Sequence, residues 1–155
     1  MKKVGIFYGS TTGATEGVAE TIAARLGVAS EDIRNVGTTK VDEVDKYDVL
    51  LLGSSTWGIG ELQDDWNDFL DKLKAKNLSG KTVAIFGCGD SASFGGSFCD
   101  AIGIIITSYK EVDVNLPVRW IPTGIVTTLP RLVWMVSSWG FLWMNPMNLT
   151  RLIRE

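Results

Sequence analysis

The chain contains no histidine and only two cysteines, Cys88 and Cys99. Without histidine or a second cysteine pair, the common zinc-ligand spacings are absent. There is no disulfide framework either, so a reduced, cytoplasmic setting is the expectation. The opening "MKKVGIFYGS" has two lysines but too short an apolar run for a signal peptide. Positive charge is sparse as well: 15 Lys and Arg stand against 18 Asp and Glu, a net charge of −3, which argues against a nucleic-acid partner. The deficit lies in the first part of the chain, where residues 1–105 carry 10 basic against 15 acidic side chains and the remainder 5 against 3.

What is present suits one α/β domain. The 155 residues can bury a real core but not two comfortable ones. Short apolar runs ending in glycine, "KVGIFYG" (3–9), "DVLLLGSS" (48–55) and "KTVAIFGCGD" (81–90), read as buried parallel strands, with "DIRNV" (32–36) a weaker one. Val18, Ile22 and Leu26 recur at helical spacing up to Gly27. In 62–80, Leu62, Trp66, Phe69, Leu70 and Leu73 mark one face of an amphipathic helix, and 97–106 opens another. Strand, loop and helix in alternation imply a doubly wound open sheet, whose ligand sits outside the carboxyl ends of the strands.

Three Gly/Ser/Thr-rich loops fall at those ends. "GSTTGATEG" (9–17) leads into a helix, whose first N–H groups favour an anion. A Walker A lysine is missing, since Ala14 and Thr15 follow Gly13, so a phosphate here meets neutral donors only. "SSTWGIGEL" (54–62) sets Trp57 among small residues as a stacking surface, unless the indole folds back on the core. "GCGDSASFGGSF" (87–98) offers a second aromatic, Phe94, and Asp90, whose carboxylate either tunes a bound ring or caps a turn. Together the loops suit a flat ring held between two aromatics with its phosphate in the first loop. A phospho-receiver domain of similar topology is excluded: it needs acidic residues where Gly9–Ser10 and Ser54–Ser55 stand.

The motifs "STTGATE", "SSTWGIGELQDDW" and "GCGDSASFGGSFCDAIG", in that order and spacing, resemble the flavodoxins, carriers of electrons on non-covalently bound flavin mononucleotide (FMN). The resemblance implies the flavodoxin-like α/β fold, a doubly wound parallel sheet of order 2-1-3-4-5. It implies that Ser10, Thr11, Thr12, Gly13, Ala14 and Thr15 bind the FMN phosphate, that Thr56, Trp57, Gly58 and Gly60 line one face of the ring, and that Cys88, Gly89, Asp90 and Phe94 line the other. Gly58 would be the peptide that flips as the ring is reduced, a move cheap without a Cβ. The family usually has Tyr in place of Phe94 and Asn near Ser97. Glu61, Asp64, Asp65 and Asp68 would disfavour an anionic reduced ring and steer partners that dock by basic surfaces; they also read as the solvated face of a helix. An FMN-dependent quinone or flavin reductase is the alternative on this fold, but the short acidic loops suit a carrier, monomeric and not an enzyme.

The resemblance covers residues 1–105. The rest, 106–155, reads as an atypical tail of the same single domain, leaving the fifth strand and last helix in doubt. "VDVNLPVRWI" (112–121) alternates like a strand, though Pro117 sits badly in a central one. The twenty residues from Ile125 to Met144, mostly apolar, are long enough for a bilayer, but Pro130 and Arg131 near their middle make spanning costly. Read in the neighbouring frame, the single-codon residues force Asp from Trp134–Met135, Gly from Met135–Val136, Asp from Trp143–Met144 and Glu from Met144–Asn145. These fall where the family's carboxyl-terminal segment has such residues, so the tail reads as the product of a frameshift near Ile105–Ile106. A lost fifth strand would leave the apolar edge of the fourth exposed and the product prone to aggregation or without function.

Overall fold

A computed structural model describes residues 2–90, 92–109, 128–129 and 132–138. The strands are β1 (Val4–Gly9), β2 (Ile33–Asn35), β3 (Val49–Trp57), β4 (Glu61–Leu62), β5 (Thr82–Gly89), β6 (Thr128–Leu129) and β7 (Leu132–Ser138); the helices are α1 (Ala14–Leu26), α2 (Asp65–Lys74) and α3 (Asp100–Tyr109). One sheet runs β2-β1-β3-β5-β7-β6, with β4 hydrogen-bonded to β3 off this path. Pairing is parallel from β2 through β7. This is the expected 2-1-3-4-5 order, with the short β4 inserted and β7 in the fifth place.

β1, β3 and β5 are buried on both faces along most of their length, and their side chains alternate between them. Phe7, Leu50, Leu52, Val83 and Ile85 meet Trp66, Phe69, Leu70 and Leu73 of α2 and Ile102 and Ile105 of α3. Val4, Ile6, Tyr8, Val49, Leu51, Ala84 and Phe86 meet Val18, Ala19, Ile22 and Ala23 of α1. The helix α1 closes at Gly27, whose φ of 68° permits a left-handed cap and whose N–H donates to the Ala23 carbonyl. The second helix is shorter than its apolar periodicity suggests, because Leu62 pairs with Thr56 in β4 and helical structure begins only at Asp65.

The segment 112–121, expected as a strand, lies outside the described residues, as does any helix after β7. Within the apolar stretch 125–144, residues 128–129 and 132–138 are strands; among the described residues no helix is long and apolar enough to cross a membrane. The expected bare edge on the fourth long strand is not found. β7 pairs with β5 from Val83↔Leu132 to Gly89↔Ser138, because a run rich in β-branched and aromatic residues meets an open row of backbone donors and acceptors.

Tyr8 links β1 to α1: its hydroxyl donates to Glu16 Oε1 at 2.6 Å. Burial, and then this bond and the Glu16 charge, push its pKa from 10.0 to about 12. The folded state therefore keeps the proton longer than the unfolded chain does. The resulting stabilisation, on the order of 2 kcal/mol, is complete below pH 10 and is lost as pH rises towards 12. Urea midpoints measured from pH 9 to 12 should fall more steeply for the parent protein than for Tyr8→Phe; parallel curves would contradict this linkage.

Candidate functional site

Register brings the three loops to one edge. Gly9, Ser54 and Gly87 lie side by side at the carboxyl ends of β1, β3 and β5. The connections after these residues therefore rise next to one another. The junction of β1 and β3 is also where the direction of strand progression reverses, the place a doubly wound sheet leaves open for a ligand.

The first loop is a turn built to start a helix. Ser10 Oγ accepts from the Gly13 N–H at 3.1 Å, and Gly13, at φ 86°, takes a left-handed conformation closed to most residues. No side chain caps the first turn of α1, so the positive end of the helix faces the crevice. Thr11, Thr12 and Ala14 are exposed, while Thr15 is fully buried. Among the described residues two buried side-chain polar atoms have no hydrogen-bond partner, Thr15 Oγ1 and Thr56 Oγ1. The first lies on the first loop's helix and the second at the end of β3, so two of the three loops each hold a buried hydroxyl in want of a partner. A buried hydroxyl left so costs about 1–3 kcal/mol.

Trp57 is on a strand, not in a loop as the sequence suggested. It ends β3 opposite Glu61 of β4, and a tight turn joins the two, with Gly58 at φ 50°, Gly60 at φ 98° and the Gly60 N–H donating to the Trp57 carbonyl. A two-residue return strand leaves no periodicity to read. The indole does not fold into the core: it is 42% exposed, tethered by its Nε1–H to Ser55 Oγ at 3.0 Å. Phe94, on the adjoining loop, is 54% exposed.

Asp90 acts as a turn cap. Its Oδ1 accepts from the N–H groups of Ala92 and Ser93; the Ser93 hydroxyl above all, then the Ser93 N–H and that of Ala92, hold the carboxyl below its ordinary pKa. Cys88 flanks the Thr15 hydroxyl. Burial raises its thiol pKa, and the nearby hydroxyl lowers it in part, a weak polar contact short of a hydrogen bond of ordinary geometry. Burial lifts Cys99 further, to about 12. The two thiols pack on opposite faces of the sheet. Glu61, Asp64, Asp65 and Asp68 are all exposed, and Asp65 and Asp68 also sit in the first turn of α2, where negative charge is favoured.

Sequence reasoning missed Gln63. It is 4% exposed and bonds to both the first loop and the start of α2. Its only signal was a glutamine just before the acidic helix start.

The sequence model of the Flavodoxin family matches residues 6–116, most of the chain and past the Ile105 at which the resemblance was expected to end. The chain belongs to the flavodoxin family. Flavodoxin 1 of Escherichia coli K12 is 44% identical over 124 residues, 80% of this chain and 70% of that one. The flavodoxin of Buchnera aphidicola from Acyrthosiphon pisum is 42% identical over 120 residues, 77% of this chain and 70% of that one. Among solved structures, Fusobacterium nucleatum flavodoxin bound to flavin mononucleotide is similar at TM-score 0.64 and 31% identity, over 72% of this chain and 66% of that one. Oxidised flavodoxin 2 of Bacillus cereus is similar at TM-score 0.69 and 27% identity, over 98% and 95%. This flavodoxin thus spans about two thirds of the Fusobacterium chain.

Proposed function

We propose that this flavodoxin carries single electrons on non-covalently bound FMN. The observation that carries the reading is the pair of buried, unpartnered hydroxyls, Thr15 Oγ1 and Thr56 Oγ1, at the one edge where three loops meet. Each hydroxyl would gain a partner from a bound polar ligand, and the uncapped start of α1 favours an anionic one. The group therefore fits the residues present.

Ser10, Thr11, Thr12, Gly13, Ala14 and Thr15 would hold the phosphate with neutral donors. Thr56, Trp57, Gly58 and Gly60 would stand on one side of the ring, and Cys88, Gly89, Asp90 and Phe94 on the other. When bound, FMN supplies the redox chemistry; the protein supplies orientation, stacking and electrostatics. The half-exposed indole and phenyl give apolar surface on both sides and exclude water there. Left-handed Gly58 gives a peptide free to reorient, and a Cβ at that position would meet Glu61 Oε2 at 2.7 Å. Exposed carboxylates beside the hairpin would raise the cost of adding negative charge and steer partners with basic surfaces.

The acidic residues beside short loops suit docking to another protein, so we read the protein as a carrier rather than an enzyme, monomeric and acting in the cytoplasm. The frameshift reading of 106–155 rests on the codon argument, and resequencing around codons 100 to 110 tests it. Titrating FMN into the purified chain tests the main reading. Quenching of flavin fluorescence at one FMN per chain, followed by reduction in two separate one-electron steps, is expected; absence of binding would overturn it.

A further inference from the structure

Gln63 occupies space that Gly9 leaves open: a Cβ on Gly9 would run into Gln63 Oε1 and would lie 2.6 Å from Trp66 Cδ1. The Gln63 main-chain N–H donates to Ser54 Oγ at 3.3 Å, which ties the residue to the end of β3. Its side chain faces Asp65 on one side and the first loop on the other. The Asp65 main-chain N–H donates to Gln63 Oε1 at 3.2 Å. Gln63 Nε2 donates to Asp65 Oδ2 at 2.8 Å and to Thr11 Oγ1 at 3.4 Å.

The two Asp65 contacts decide which end of the amide is which. A main-chain N–H only donates and a carboxylate only accepts, so the oxygen must face the first and the nitrogen the second. One Nε2 proton is then used by Asp65 and the other is left for Thr11. A threonine hydroxyl has a single proton. With its oxygen accepting from Gln63, that proton is turned away from Gln63 and left free to donate to an anion held by the loop 10–15. The loop itself contains no basic residue, so the direction of each hydroxyl proton matters to an anion there. A reversed amide would draw the Thr11 proton inward and present a lone pair to the anion.

We propose that Gln63 is a positioning residue for phosphate recognition: fixed by Asp65, its amide holds the Thr11 hydroxyl as a donor to the phosphate of a flavin nucleotide. This rests on the FMN reading above. The proposal predicts discrimination between FMN and riboflavin, which has the ring and the sugar alcohol chain but no phosphate.

The test is a fluorescence titration of each ligand into the parent chain and two variants. In Gln63→Glu the introduced carboxylate accepts the Thr11 proton and adds negative charge. FMN affinity should fall about tenfold or more, while riboflavin affinity stays within about twofold. Gln63→Met keeps the length without charge and should lower FMN affinity by a smaller factor, again sparing riboflavin. Thr11→Val should then weaken FMN less in the Gln63→Met background than in the parent, because the donor it removes is no longer held in place. Equal losses for both ligands would make Gln63 a packing residue and overturn the proposal, as would no loss for either. Failure of both variants to give the parent's circular dichroism would count against it in the same way. A parent chain that binds neither ligand would sink the FMN reading itself, a result distinct from all of these.

Discussion

Replacing Thr15 with valine is expected to stabilise the flavin-free protein and, at the same time, to weaken FMN binding about tenfold or more. The two signs have one cause. Thr15 is fully buried in the first turn of α1, and its Oγ1 finds no hydrogen-bond partner. Leaving a buried hydroxyl unmet costs about 1–3 kcal/mol, and valine removes that cost while keeping the branched shape. A bound phosphate changes the balance, since a hydrogen bond to a charged group is worth about 1.5–3 kcal/mol, or roughly one to two decades of affinity. Urea unfolding without flavin and a fluorescence titration with it measure the two arms. A Thr15→Val protein that is less stable without flavin, or that binds FMN as the parent does, would show that the hydroxyl is not waiting for a ligand.

The largest loss of stability is expected from Trp66→Ala, at about 3–5 kcal/mol. Trp66 is fully buried; its indole donates to the Gly53 carbonyl at 2.7 Å and meets Phe69 edge to face, with ring centroids 5.5 Å apart. Alanine there opens a cavity under α2 and leaves a central-strand carbonyl without that donor. Because Trp66 also lies against Gly9, the first loop should loosen with the core. A loss of this size is a large share of what holds a domain of this length together, so denaturant unfolding should register it plainly. Trp66→Phe, which keeps much of the volume but not the N–H, should cost clearly less. Equal effects would mean that volume is unimportant at this position.

The parts of the molecule readable from sequence are those where one local signal dominates. β1, β3 and β5 are apolar runs because a parallel sheet covered on both faces demands apolar residues at nearly every position, and a run of that kind has few other readings. The first and third loops were legible for the same reason: glycine, serine and threonine gather where a strand must turn and a backbone must lie open. The hairpin from Trp57 to Glu61 was not, since its return strand is two residues long and its pairing depends on the φ values of Gly58 and Gly60. Gln63 escaped notice because its role is set by a contact with Thr11, 52 positions earlier in the chain. Asp90 went the other way: sequence allowed either a ring contact or a cap, and its bonds to Ala92 and Ser93 are those of a cap.

β7 meets β5 through backbone groups, which every residue but proline supplies in full. Such a seam reads shape rather than spelling. Any extended heptapeptide without proline and with tolerance for a covered face has the means to close it. The loops hang from β1, β3 and β5, each paired on both sides by a neighbour. The three loops at the carboxyl edge therefore ask of the outer slot that it be paired, and much less which side chains pair it.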